Sequence, residues 1–426
     1  MFAINHEYNY ITKDNKPFFY TADTIWSAFT NMSFDEWNSY LDYRKIQNYN
    51  VLQISVLPIL HDRSMDESTI QPFAFNASGV FDYSAPNDVY FDKAEKMLEM
   101  AKNKGFTPAL VAVWISYVKG SWVSKDFSEY AMDADQMEGY IDFITDRFNR
   151  FEPIYIVSGD ARFDSDYIAD FYQSALHRIK KNAPESIATF HVFPEAELPE
   201  SIISDENLDF YMYQSGHDIT GNGQRKGFIM AEQYTKLRSR PIVNGEPCYE
   251  GHGYGHHYGR FDDFHVRRAS WQSVLAGAKA GITYGAHGVW SWHKPDSSFS
   301  NASFSDKPFN SNIAMTFQGA YDIGYLRWLF ESYHLFEVMP RNELLLDDRA
   351  GSIRLACDAA MQRLVVYLPY TTEITINLEL QDYQFYLHVI GQGNTLLRPN
   401  YITRDGKTIF DIYPMNADAV LVCLKE

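Results

Sequence analysis

The chain has 426 residues, more than one ordinary domain needs, and 46% of them are hydrophobic, enough for a sizeable core. A formal net charge of −18 argues against a nucleic-acid groove, which requires clustered Lys and Arg. The three cysteines, Cys248, Cys357 and Cys423, form no CxxC pair and no zinc spacing, so they read as free thiols of a reducing compartment.

The first stretch, MFAINHEYNYITKDNKPF, lacks the basic start and continuous apolar run of a signal peptide, and no segment is apolar for long enough to cross a membrane. A cytoplasmic location is expected. Strand-like and helix-like segments then alternate over roughly the first 335 residues. Pro17 to Ile25 reads as strand one, and Ser33 to Gln47 as a helix whose Ser33 and Glu36 form a capping box. Asn50 to Pro58 is strand two, followed by a long polar loop to about Asp88 and a helix from Tyr90 to Lys104, stopped by Gly105. Phe106 to Trp114 is strand three, with a helix over Asp135 to Asn149. Pro153 to Asp160 is strand four, with a helix over Asp166 to Asn182. Ile187 to Phe193 and Asp209 to His217 are strands five and six, joined by an abbreviated link. Gly227 to Ser239 is helical, Pro241 to Glu246 is strand seven, Phe261 to Ala280 is a long helix and Gly281 to Trp292 is strand eight.

Eight strands with intervening helices predict an α/β fold, a (β/α)8 TIM barrel over residues 1–338. After Met339-Pro340 the pattern turns to short strands with turn signals, including an Asp405-Gly406 hairpin. A small all-β antiparallel sandwich is expected over residues 339–426.

Two of the strands end in glycine followed by a carboxylate: Ser158-Gly-Asp160 and Asn244-Gly-Glu246. An ionisable group at a strand's carboxyl end is costly to bury without partners, so it is presented in a site or paired. Two such acids on one barrel are what glycosidic cleavage needs, one to protonate the leaving oxygen and one to attack or to activate water. The plainer alternative is that Asp160 caps the next helix and Glu246 pairs with an arginine. Barrel enzymes place their chemistry at the strands' carboxyl ends. There the sequence gathers Asp23 and Trp26, Gln53 with His61 beyond it, Trp114, Asp160, His191, Gln214 and His217, Glu246 with Tyr249 and Glu250, and His287, Trp290 and Trp292. This set of acids, amides, histidines and indoles suits hydroxyls and sugar faces. Each also has a structural reading: Asp23 as an acceptor for backbone N–H groups, Trp114 and Trp290 as rim packing, His191 and His217 as core histidines. His252, His256 and His257 lie in a run with Gly251, Gly253, Gly255 and Gly259, which reads as a flexible loop over the cleft rather than a metal site. No P-loop, dinucleotide fingerprint or G-x-S-x-G elbow occurs, so no cofactor and no metal are expected.

The combination Lys16-Pro-Phe-Phe-Tyr-Thr-Ala-Asp23-Thr-Ile-Trp26, Tyr40-Leu-Asp-Tyr-Arg44, Asn50-Val-Leu-Gln53, Ser158-Gly-Asp160, Gln214-Ser-Gly-His217 and Asn244-Gly-Glu246-Pro-Cys-Tyr-Glu250 resembles the apiosidase-like glycoside hydrolases. The carboxyl-terminal module is similar to one known as a collagen-binding domain, although its own residues point to a module that packs on the barrel. The resemblance implies a carbohydrate substrate, a plant-type glycoside cleaved with retention, Asp160 as acid/base and Glu246 as nucleophile. Many enzymes of the wider clan carry Asn-Glu where this chain has Gly159-Asp160, and a shorter acid reaches less far; Glu250 is the competitor for the second carboxylate. Two other readings stand beside this one: an endoglucanase-like barrel with an open cleft, and a non-catalytic carbohydrate-binding protein on an enzyme scaffold.

Overall fold

The computed structural model describes residues 1–60, 64–65, 70–220, 223–348, 351–391, 393–411 and 418–425; His61 lies outside these residues. Eight parallel strands run in chain order: β1 (Tyr20–Thr24), β2 (Val51–Ser55), β3 (Thr107–Trp114), β4 (Ile154–Gly159), β5 (Ala188–Thr189), β6 (Tyr211–Gln214), β7 (Ile242–Glu246) and β8 (Gly281–Tyr284). Their spatial order is β5-β4-β3-β2-β1-β8-β7-β6. The two ends of that order meet through Asp209 N–H to Ala188 O at 3.1 Å and Thr189 Oγ1 to Phe210 O at 2.7 Å. The result is a TIM barrel. Runs such as TPALVAVW and IYIVSG are buried at every position, as expected of parallel strands covered on both faces.

The covering helices are α1 (Phe34–Ile46), α2 (Asp88–Asn103), α3 (Ala134–Phe148), α4 (Asp166–Asn182), α5 (Lys226–Tyr234), α6 (Asp263–Leu275) and α7 (Gln318–Ser332). The Ser33–Glu36 capping box opens α1. In α4 the apolar positions Ile168, Phe171, Tyr172, Ala175, Leu176 and Ile179 recur at helical spacing and face inward. Only one turn of helix, Glu200–Ile203, separates β5 from β6.

Two strand expectations need correction. The segment predicted as strand one divides at Phe19. Lys16–Phe18 pairs antiparallel with Tyr10–Lys13, which pairs with Phe2–Asn5. This small sheet packs at the amino-terminal side of the barrel, where Lys13 Nζ reaches Thr107 Oγ1 at the start of β3. Strand eight stops at Tyr284, and the following residues coil into turns such as Val289 N–H to Ala286 O. His287, Trp290 and Trp292 therefore sit on a coiled connection.

Beyond the barrel, the strands are β9 (Arg354–Cys357), β10 (Arg363–Leu368), β11 (Ile374–Ile376), β12 (Tyr383–Val389), β13 (Thr395–Leu397), β14 (Tyr401–Arg404), β15 (Lys407–Phe410) and β16 (Ala419–Lys425). They form an antiparallel sheet with order β9-β10-β16-β12-β13, edged by Met339–Pro340, and a second sheet with order β11-β15-β14. Asp405 and Gly406 both have positive φ in the turn joining β14 to β15, as a two-residue hairpin of this sequence requires. Side chains alternate along β10. Leu364, Val366 and Leu368 enter the sandwich core, whereas Val365 and Tyr367 join the barrel's core. The larger sheet is thus buried on both faces, with Tyr367 stacked on Trp271 of α6.

Candidate active site

The carboxyl end of β4 is shaped by Trp114, whose indole lies so close to Gly159 that a Cβ there would fall 2.3 Å from it. The glycine is required by this contact. The next residue, Asp160, takes a left-handed φ of 50°, a conformation that costs a non-glycine residue free energy and turns its side chain out of the strand direction. At the end of β7 the pairing with β6 slips between Tyr213 and Gln214, so that Gln214 faces Glu246. Such a bulge re-aims side chains at a barrel rim.

Two histidines meet Glu246, one at each carboxylate oxygen. His217 Nδ1 accepts the N–H of Tyr249 at 3.2 Å, which leaves the ring proton on Nε2, 3.0 Å from Glu246 Oε1. His191 Nδ1 accepts the N–H of Asp160 at 3.3 Å, and its Nε2 lies 3.2 Å from Glu246 Oε2, close enough for an ion-pair contact but not aligned as a hydrogen bond. The Asp160 carboxylate lies 3.6 Å from His191 Nδ1 and accepts from Gln214 Nε2 at 3.3 Å. The two acids therefore flank a single imidazole ring. Burial alone would raise the Glu246 pKa, but the close contacts and charges of His191 and His217 outweigh it and hold the carboxyl well below the usual range. Burial would likewise lower His191, and Glu246 and then Asp160 outweigh it, so its pKa is raised.

Both acids border a cavity of about 480 Å³, within the range of small-molecule sites. Of the residues singled out in the sequence, Trp26, Trp114, Asp160, Gln214, His217, Glu246, Tyr249 and Trp290 line it. Trp26 Nε1 donates to the Tyr249 hydroxyl at 3.1 Å, locking two of these walls together.

Six of the candidates lie outside the lining. Asp23 is wholly buried and bonded at 2.6 Å to both Arg44 Nε and Tyr40 OH, a structural ion pair behind the floor. Gln53 donates to Gly245 O at 3.1 Å and accepts from Tyr20 OH at 3.0 Å, bracing β7 from below. His191 is buried under the two carboxylates. Glu250 turns away from the cavity: its Oε2 accepts from Tyr284 OH at 2.7 Å and from Gly319 N at the start of α7 at 2.9 Å. Burial pushes its pKa up to about 7, with Asp263 adding to the rise. Glu250 does not border the cavity that Asp160 and Glu246 share. His287 bonds Asp306 O at 2.9 Å and accepts from Trp290 Nε1 at 3.3 Å, and burial lowers its pKa to about 3. Trp292 is buried edge-on against Tyr40.

The sequence reading missed Trp122, Asp126, Phe127, Phe193, His252 and Phe304 as walls of the cavity. All but Phe193 lie on connections whose path no periodicity specifies, and Phe193 was read only as the end of strand five. The expectation of a flexible loop over residues 250–259 also needs correction at its base. Gly251 N–H bonds Phe261 O and Gly253 N–H bonds Ser305 O, each at 2.8 Å.

The model of the family described as "Apiosidase-like, catalytic domain" matches residues 5–337. The chain belongs to that family. It is a glycosidase, and a carbohydrate substrate follows from the family. The match ends before the carboxyl-terminal sandwich, and nothing found supports a collagen-binding label for that module. No curated protein matches the chain. Among solved structures, one described as a glycoside hydrolase aligns with a TM-score of 0.81 at 21% identity, covering 100% of this chain and 97% of its own. A glycoside hydrolase family 5 structure from Bacteroides vulgatus aligns with a TM-score of 0.81 at 20% identity, covering 100% and 92%. At such identities the likeness speaks for the fold, sandwich included. Among the described residues no helix is long and apolar enough to cross a membrane.

Proposed function

We propose that the protein is a retaining glycosidase acting on a plant-type glycoside or short oligosaccharide, with Glu246 as nucleophile and Asp160 as acid/base. The observation that carries this reading is the clamp of His191 and His217 on Glu246 at the cavity floor, with Asp160 across the same imidazole. A carboxylate held as an anion by two N–H groups is poised to attack an anomeric carbon, because the developing oxocarbenium charge is met by a fixed negative partner. Asp160 would deliver its proton to the leaving oxygen as the glycosidic bond breaks. In the second half-reaction Asp160 takes a proton from water, which displaces Glu246 from the sugar. Trp26, Trp114 and Trp290 offer apolar faces for the sugar ring.

The aromatic lining of Trp122, Phe127, Phe193 and Phe304 supports a short substrate over an extended polysaccharide chain. The test is a screen of aryl glycosides and pectin-derived oligosaccharides with product analysis, beside Glu246→Gln. Turnover should vanish in the variant with the fold intact, and proton NMR of the first product should show the substrate's anomeric configuration. Near-normal turnover by Glu246→Gln would eliminate the assignment, and an inverted first product would eliminate retention.

A further inference from the structure

His252 has no part in the mechanism above, yet it is one of the cavity walls. Its backbone is fixed on three sides. Its N–H bonds Tyr249 O at 3.2 Å, its carbonyl accepts from Phe261 N at 2.9 Å, and the adjacent Gly253 N–H bonds Ser305 O at 2.8 Å. Glycine at 253 permits this packing, since a Cβ there would sit 2.8 Å from an Asp306 carboxylate oxygen. The ring is only 3% exposed and stacks on His217 with centroids 4.2 Å apart and planes 21° apart. His287 meets it at 4.9 Å and Phe304 at 5.8 Å.

The tautomer follows from one contact. His252 Nδ1 lies 2.7 Å from Gly253 O. A carbonyl oxygen only accepts, so Nδ1 carries the proton and Nε2 presents a lone pair. Nε2 has no protein hydrogen-bond partner among the described residues. Burial, followed by the charges of His217 and His287, places the ring's pKa well below the ordinary histidine value, so it stays neutral. The cavity thus contains an acceptor on a nearly buried ring, open to the cavity and with nothing of the protein to accept from. Such a group is costly to desolvate unless the ligand supplies a donor.

We infer that His252 Nε2 accepts a hydrogen bond from a ring hydroxyl of the sugar seated over Glu246, and so selects substrates that carry a donor at that position. The inference rests on the glycosidase reading of the same cavity. It makes His252 a specificity-determining residue, and the competing role is mere support of the His217 ring.

The experiment compares wild type with His252→Phe on 4-nitrophenyl pentosides and hexosides and on singly deoxyfluorinated counterparts of those cleaved. Fluorine accepts but does not donate. Its intrinsic effect on the reaction is common to both enzymes and cancels when their hydroxyl-to-fluoro ratios of kcat/KM are compared. At one ring position the ratio should fall about 10- to 100-fold in the variant, the scale of one hydrogen bond to a desolvated partner, and stay unchanged at the others. A rate loss equal at every position would overturn the inference in favour of structural support. Full activity of Glu246→Gln would instead sink the reading of the site, and this inference with it. A second measurement needs no variant to fold. In wild type with 15N-labelled histidine, the Nε2 resonance of His252 should be that of an unprotonated nitrogen. It should move on titration with at least one of D-xylose, L-arabinose, D-galactose and D-glucose. A resonance that none of them moves would also overturn the inference.

Discussion

Replacing Arg267 by Met removes the guanidinium from a buried cluster that joins the barrel to the carboxyl-terminal sandwich. Arg267, on α6, bonds Asp418 through Nε at 2.9 and 3.3 Å, Asp322 of α7 through Nη1 at 2.7 Å, and Asp263 through Nη1. Tyr367 OH completes Asp418 at 2.8 Å. One guanidinium serves three carboxylates. Burial therefore still wins at Asp322, whose pKa is raised to about 6, and at Asp418, also raised, while the acids' summed charge raises that of Arg267. Breaking a buried pair by removing one partner costs about 3–5 kcal/mol, and the Met variant should lose that much stability at pH 8. The loss should shrink on acidification. Arg267 holds both pKa values down, so without it those of Asp322 and Asp418 rise further; the variant's folded state then keeps protons that the unfolded chain has released, and its stability rises more than wild type's as pH falls towards the ordinary carboxylate range. Each pH unit recovers about 1.4 kcal/mol for each carboxyl that takes up its proton on folding. Urea unfolding followed by tryptophan fluorescence at pH 8, 7 and 6, on wild type and variant, measures this directly. Combining Arg267→Met with Asp322→Asn and Asp418→Asn should restore most of the lost stability, since no unpaired charge is then buried. A loss below about 1 kcal/mol, or one independent of pH, would refute the view that these charges are sealed between the two modules.

Glu250→Gln separates the two carboxylates of strand seven's end. Turnover should stay within a few-fold of wild type, and the fall in stability between about pH 4.5 and 7 should become shallower, because the Glu250 carboxyl, raised to about 7, is one of the groups that folding keeps protonated there, beside Asp322 and Asp418; turnover lost as in Glu246→Gln would return Glu250 to the catalytic pair. His217→Phe removes a donor from the Glu246 anion, so the Glu246 pKa should climb. The acid limb of kcat/KM should then move to higher pH by about one unit, and a limb at its wild-type position would show that His217 does not hold the nucleophile. Gly159→Ala places a methyl 2.3 Å from the Trp114 indole and should displace that wall, cutting kcat/KM by about 100-fold on the scale of a misplaced catalytic group; wild-type kcat/KM would contradict the packing.

Much of this molecule was legible in its sequence because the underlying rules are local. Buried parallel strands announce themselves as continuous apolar runs, so β2, β3, β4 and β7 fall where TPALVAVW-like segments stand. The Ser33–Glu36 box and the Asp405-Gly406 turn specify backbone geometry within a few residues. The paired Gly-Asp160 and Gly-Glu246 endings were visible for the same reason, since each is a strand's last word before the chain turns. Direction is another matter. Glu246 and Glu250 are four residues apart and chemically identical, yet one meets two histidines at the cavity floor and the other meets the first turn of α7. That choice depends on His191, His217, Tyr284 and Gly319, which come from elsewhere along the chain. Asp23 was drawn behind the floor by Arg44 and Tyr40 in the same way, and His252 was brought to the cavity by the segment around Ser305. Periodicity and turn chemistry showed where the strands run and, at β4 and β7, where they end; only packing between distant segments decided which of the side chains there face the cavity, because a buried charge goes to whichever partners the tertiary structure brings within reach.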